Sequence, residues 1–237
     1  MPSYGLFHRV PLLGLRTTAP MGLIAPTQLN RRGRELNLGN NPLYFSGPIV
    51  GYLNNKEVKR VGMNLCAKCS SNIDSLAWFE AYEMEDTFFS WFKVVELHVW
   101  MISLRLLQDP SSEINDLLVD VRGSLIDYTW IELHNRIGSI GIKGRKRKNS
   151  LSELSDQLRI SFLLYDDGVL GSDTRLANAL WEGFFIKDED VSLEKLVRLV
   201  EYVRQNLLML EKLENTDIAI KQKFDWTNPP KLAIEQV

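Results

Sequence analysis

Apolar residues recur along most of the chain at intervals of three and four, the period that places them on one face of an α-helix. Val58, Val61, Leu65 and Cys69 outline the first such face and predict a helix over 55–71, followed by a short aromatic segment at Trp78, Phe79 and Tyr82. Phe88, Trp91, Val95, Val99, Ile102 and Leu106 form one apolar row, and Phe92, Leu97, Trp100 and Leu104 carry apolar character round the other sides. This predicts a central helix from Phe88 to Leu107 that stops before Asp109-Pro110, because proline disfavours helix in the residue ahead of it. The next helix should open at Ser111 or Ser112, with Glu113 in its first turn, and run through Leu117, Leu118, Val121, Leu125 and Tyr128 to about Ile137. Gly138, Gly141 and Gly144 then interrupt the pattern. Ser150 and Glu153 have the spacing of a capping box and predict a further helix starting there, with Leu151, Leu154, Leu158, Phe162 and Tyr165 inward and Asp166-Asp167-Gly168 as its end. Asp173 is read as the N-cap of a helix carrying Leu176, Ala177, Leu180, Trp181 and Phe184. Finally, Val191 and Leu196 can staple across Ser192, opening a helix through Leu193, Val197, Val200, Val203, Leu207 and Leu210 to about Glu214. No two-residue alternation and no long repeat competes with this pattern, so the reading is all-α, one compact multi-helix domain.

The first 54 residues differ. Six of the nine prolines lie in the first 48 residues, so this arm is expected to be irregular. Residues 1–34 carry Arg9, Arg16, Arg31, Arg32 and Arg34 with no acid and no lysine, which leaves −7 on the remainder of a chain whose formal charge is −2. An Arg-rich, acid-free start suits a mitochondrial targeting segment, since import draws in positively charged sequence. The expected organisation is therefore a targeting segment at 1–34, an irregular arm at 35–54, a helical domain at 55–230 and a tail at 231–237. The near-balanced total charge excludes a generally polycationic nucleic-acid binder, and two cysteines exclude a disulfide-built secreted domain. Phe88–Leu107 is long enough to span a bilayer, yet Lys93, Glu96 and Arg105 lie within it, each costing about 2.5–3.5 kcal/mol at the membrane centre, so no transmembrane helix is expected.

A search for chemistry finds no phosphate-binding loop, dinucleotide fingerprint, zinc-hydrolase helix or nucleophile elbow. His98 and His134 fall on separate helices without ligand spacing and are read as helix histidines satisfied by neighbours. Cys66-x-x-Cys69 is half a zinc site and sits in a helical pattern, so small buried core residues are the simpler reading. Asp166, Asp167 and Asp173 lack the spacing of a calcium loop and suit turn and cap roles. No catalytic, cofactor-binding or metal-ligating residue is nominated. An enzyme would need His98, Glu96 and Asp166 gathered in one cleft. The run Lys143, Arg145, Lys146, Arg147 and Lys148 is expected to be an exposed loop contacting a polyanion, either RNA or anionic lipid, or else merely solvated.

Several uncommon positions carry a resemblance. Thr87-Phe88-Phe89-Ser90-Trp91-Phe92, Glu96-Leu97-His98-Val99-Trp100-Met101 and Arg105-Leu106 are followed by Tyr165-Asp166-Asp167-Gly168, Ser172-Asp173, Leu176-Ala177-Asn178-Ala179-Leu180-Trp181 and Phe184-Phe185. Trp130-x-Glu132-x-x-x-Arg136, Tyr202-Val203-Arg204 and Phe224-Asp225-Trp226 add to them. In this order they resemble the ubiquinol–cytochrome c chaperone family over about residues 55–230; the stretch 138–149 departs from its pattern. The resemblance implies an all-α chaperone for assembly of the mitochondrial cytochrome bc1 complex, without cofactor or DNA. It further implies a small partner protein, newly made cytochrome b as client, contact with the mitochondrial ribosome and peripheral association with the matrix side of the inner membrane. Trp91, Glu96, His98, Trp100, Arg105, Asp166, Gly168, Asp173 and Trp181 are the motif positions expected to serve structure or client binding. A client surface should show as an exposed apolar patch, for which Trp91, Trp100, Trp181, Phe184 and Phe185 are the aromatic candidates, although aromatics of this size more often belong to cores. The alternative is an RNA- or ribosome-binding helical module acting through 143–148.

Overall fold

Charge and caps decide where the helices begin, and the apolar rows decide how they stack. The computed structural model describes residues 55–108 and 114–229. These form α1 (Asn55–Cys69), α2 (Ser75–Tyr82), α3 (Phe88–Leu106), α4 (Asn115–Ser139), α5 (Gly144–Val169), α6 (Asp173–Gly183) and α7 (Leu193–Glu211), then a π-helical turn at Asp217–Lys221 and a segment without regular secondary structure to 229. The described residues include no β-strand, so the body is all-α. The expected targeting segment, the irregular arm, the opening of the third long helix at Ser111–Glu113 and the tail 231–237 lie outside the described residues.

Helix α3 is the axis. All its residues but Leu104 and Arg105 are buried, as an all-round apolar helix requires. It is flanked by α1, α2, α4, α5 and α7. Helix α1 lies close along α4, where a Cβ on Gly62 would stand 2.3 Å from Ser124 Oγ. Helices α5 and α6 pair as tightly: a Cβ on Gly168 would come within 2.6 Å of Ala179 Cβ, and one on Gly183 within 2.7 Å of the Tyr165 ring. Side-chain caps start four helices, with Asp74, Thr87, Ser172 and Ser192 each accepting a backbone N–H that has no helical partner.

Four expectations need correction. Helix α5 begins at Gly144, six residues before the expected cap, and Ser150 is buried inside it. Lysine and arginine have straight side chains and good helix propensity, so the basic run coils rather than loops. Gly168 does not end α5, which continues to Val169; its lack of a side chain lets α6 approach. Asp173 is the first residue of α6, and Ser172 is the cap. In α7, Leu193 and Val197 face solvent instead of the core.

Candidate functional site

The motif positions turn out to be fasteners between helices. His98 Nδ1 lies 2.7 Å from the Val94 carbonyl, which can only accept a hydrogen bond, so Nδ1 carries the hydrogen and donates. Nε2 is then the acceptor for the Tyr202 hydroxyl at 2.7 Å, tying α3 to α7. Burial pushes the imidazole down to about 4, so the ring is neutral at pH 7. Glu96 forms a buried ion pair with Lys93, and Lys93 also donates to Ser161 Oγ at 3.0 Å. The Tyr165 hydroxyl donates to the same Glu96 oxygen at 3.3 Å, while Oε2 is buried without a partner. Desolvation raises the Glu96 carboxyl and lowers the Lys93 ammonium, each opposed by the other's charge. Trp100 Nε1 donates to Asp166 Oδ1 at 2.8 Å, a second link from α3 to α5.

Arg105 donates to the carbonyls of Leu210 (2.9 Å) and Leu213 (2.6 Å) and to Asn215 Oδ1 (2.8 Å), closing the C-terminal end of α7. Asp173 pairs with Arg204 at 3.1 Å, and that guanidinium also takes the carbonyls of Val169 and Gly171, so the α5–α6 turn is clamped to α7. Arg136, paired with Glu132, lies 4.0 Å over the buried Trp91 ring. Trp181 is half-buried, and its Nε1 donates to the Asp188 carbonyl at 2.8 Å. That bond pins a turn in which Ile186 and Lys187 both have positive φ (55° and 60°), costly for a β-branched residue. His98, Glu96 and Asp166 thus each bond to other partners, and the structure does not assemble them into an acid–base cleft. Cys66 and Cys69 are buried free thiols, both pushed up by burial, Cys66 to about 11. No group of three or more His, Cys, Asp or Glu able to hold a metal occurs among the described residues.

Two kinds of group remain turned outward. Lys143, Arg145, Lys146 and Lys148 are exposed at the start of α5, where the helix dipole adds positive potential and no side chain caps the free N–H groups. Arg147 is drawn back, donating to the His134 carbonyl at 2.8 Å. The aromatic candidates mostly belong to the core, as their size favours. Trp91, Trp100 and Phe184 are core, Trp181 and Phe185 are half-buried, and the large apolar residues exposed among those described are aliphatic; they include Ile160, Leu163 (71% exposed) and Leu170 (87%) on or just beyond α5, and Leu193, Val197 and Leu208 on α7. Of these only Leu193 and Val197 fall on a predicted apolar row.

The segment 222–229 returns across the end of α1 and the part of α7 that carries Asn206. Beside it lies a pocket of about 110 Å³ lined in part by Lys68, Trp78, Tyr202, Phe224 and Trp226. The Trp226 ring sits edge-on to His98 at 4.6 Å.

Among the described residues the body is all-α, its buried polar side chains tie helices together, and its surface carries aliphatic side chains and a cationic helix start. The chain belongs to the ubiquinol-cytochrome C chaperone family, whose model matches residues 80–226. It is 28% identical over 235 residues to a Drosophila melanogaster protein named ubiquinol-cytochrome c reductase complex assembly factor 1, covering 96% of this chain and 90% of that one. The Homo sapiens protein of that name is 28% identical over 183 residues, 77% of this chain and 58% of its own length. Protein CBP3, mitochondrial, of Saccharomyces cerevisiae is 26% identical over 195 residues, 81% of this chain and 56% of its own. No solved structure matches the chain.

Proposed function

We propose that this chain is a mitochondrial assembly chaperone for ubiquinol–cytochrome c reductase, and that it holds newly made cytochrome b until haem and partner subunits cover its apolar helices. The observation that carries this reading is the family match across most of the folded body, together with animal relatives named as assembly factors for that complex. The surface supports it. The exposed leucines of α5 and α7 offer apolar contact to a client that has not yet reached its final environment. The motif residues Trp91, Glu96, His98, Trp100, Arg105, Asp166, Gly168, Asp173 and Trp181 act in this reading by fixing the frame that presents those surfaces.

The finer parts of the reading are a small partner protein, a contact with the mitochondrial ribosome and a peripheral place on the matrix side of the inner membrane. Among the described residues no helix is long and apolar enough to cross a membrane, which suits peripheral association. Lys143, Arg145, Lys146, Arg147 and Lys148 would supply the polyanion contact, to ribosomal RNA or anionic lipid. Depletion of the protein tests the central role. Blue-native electrophoresis should then show loss of assembled complex III and faster decay of pulse-labelled cytochrome b, with ATP synthase unaffected. Normal complex III in depleted mitochondria would refute it.

A further inference from the structure

The segment 222–229 is gripped in the manner of a bound peptide. Lys68 Nζ donates to the Phe224 carbonyl and pairs with Asp225 at 3.1 Å, and Trp226 Nε1 donates to the Lys68 carbonyl at 2.8 Å. Asn206, fully buried on α7, takes hold of Thr227 twice: its side-chain oxygen accepts the Thr227 backbone N–H at 3.1 Å and its amide donates to Thr227 Oγ1 at 2.8 Å. Hydrogen bonds to the main chain, with pockets for alternate side chains, are how receptors hold peptide segments. Burial alternates from one side chain to the next. Phe224 is buried and Trp226 half-buried against the body, whereas the Asp225 side chain between them is 97% exposed.

The surface beneath is already built for such a guest. His98 and Tyr202 are fixed by their mutual hydrogen bond, and Trp78 stands edge-on to both, at 5.2 Å and 4.8 Å. Trp226 completes this aromatic set at His98, and the pocket of about 110 Å³ alongside shows that the segment leaves part of the groove unfilled. Every residue on the receiving side, Lys68, Trp78, His98, Tyr202 and Asn206, lies on α1, α2, α3 or α7, which are held together by other contacts.

We infer that the groove between α1, α2 and α7 is a peptide-binding site that the chain's own Phe224–Thr227 occupies in cis. In trans it takes an extended segment bearing two aromatic side chains two residues apart. The internal segment supplies the recognition chemistry: an aromatic anchor at each end of a three-residue span, a polar residue between them, and backbone bonds to Asn206 and Lys68. Being tethered, it competes at a high effective concentration, so a guest enters only when the tether's own grip is loosened or the guest carries better anchors. The inference rests on the chaperone reading for the origin of the guest, an aromatic-bearing stretch of an unfinished client; the binding chemistry itself does not depend on that origin.

The test measures fluorescence anisotropy of a labelled peptide with the sequence of residues 222–229 added to the full chain. Wild type should bind it weakly. Asp225→Lys sets a cation against Lys68 from a solvent-exposed position and leaves the receiving residues intact; it should raise peptide affinity several-fold. Trp226→Ala removes an anchor of the internal segment and should raise it about tenfold or more. A peptide with alanine at both aromatic positions should bind neither variant. Equal binding to wild type and to folded Asp225→Lys, or equal binding of the alanine peptide, would overturn the proposal. If Trp226→Ala fails to fold, the exposed Asp225→Lys decides alone. Peptide binding that follows this pattern in a protein that never captures cytochrome b would leave the groove standing and the chaperone reading refuted.

Discussion

His98 stays neutral because its surroundings leave no room for a charge, and this has a consequence for stability against pH. Its imidazole is pushed down to about 4 by burial, whereas in the unfolded chain it titrates near its ordinary value of about 6.5. Between those values the unfolded chain binds the extra proton, so the contribution is whole above about pH 6.5 and is lost as pH falls toward 4, by about 3 kcal/mol in all. In urea unfolding, the advantage of wild type over His98→Gln should therefore shrink by about 2–3 kcal/mol between pH 7 and pH 4.5. The Lys93–Glu96 pair makes a second prediction. Lys93→Met alone leaves a buried carboxylate without its cation and should cost about 3–5 kcal/mol, while Lys93→Met with Glu96→Leu should recover most of that loss in the same assay. His98 and Arg105 stood out, but nothing in their spacing tied them to their partners, Tyr202 and the Leu210 carbonyl, 104 and 105 residues away.

Helix α3 was legible from end to end, because a row of apolar residues on every side means burial whatever the neighbours are. Helix α7 was legible at its start, where Ser192 caps it, but not in its facing: Leu193 and Val197 satisfy the spacing and still point to solvent. The start of α5 was misplaced because a run of cations has no apolar period to follow, and a Ser-x-x-Glu spacing inside a helix looks the same as one at its end. Close helix contacts were also hidden, since a glycine in a helical pattern gives no sign of what it touches. Gly62 and Gly123 separate the cases. Gly62→Ala would drive a methyl group into Ser124 of α4 and should cost about 1–3 kcal/mol. Gly123→Ala, on the same helix as Ser124, meets nothing within 4 Å and should stabilise by up to about 1 kcal/mol through helix propensity. Chemical denaturation of the two variants checks both signs; a loss for each would mean that α1 and α4 pack differently.

At the scale of the whole molecule, charge and apolar surface are separated. The start of α5 concentrates cations on a chain that is acidic outside its first 34 residues, and the exposed leucines lie toward the other end of α5 and on α7. Replacing Lys143, Arg145, Lys146, Arg147 and Lys148 with Gln should leave the melting temperature nearly unchanged, since four of the five are exposed and none is favoured by the helix dipole. Sedimentation with mitochondrial ribosomes or with anionic vesicles should fall, and the remainder should lose most of its salt dependence. Unaltered sedimentation across a salt series would reduce this helix start to solvated surface. The chaperone role itself is met most directly by a pulse of labelled mitochondrial translation, followed at once by capture of the tagged full chain. The account predicts that labelled cytochrome b is enriched over every other labelled product; capture of the products in proportion to their synthesis, or of none, would contradict it.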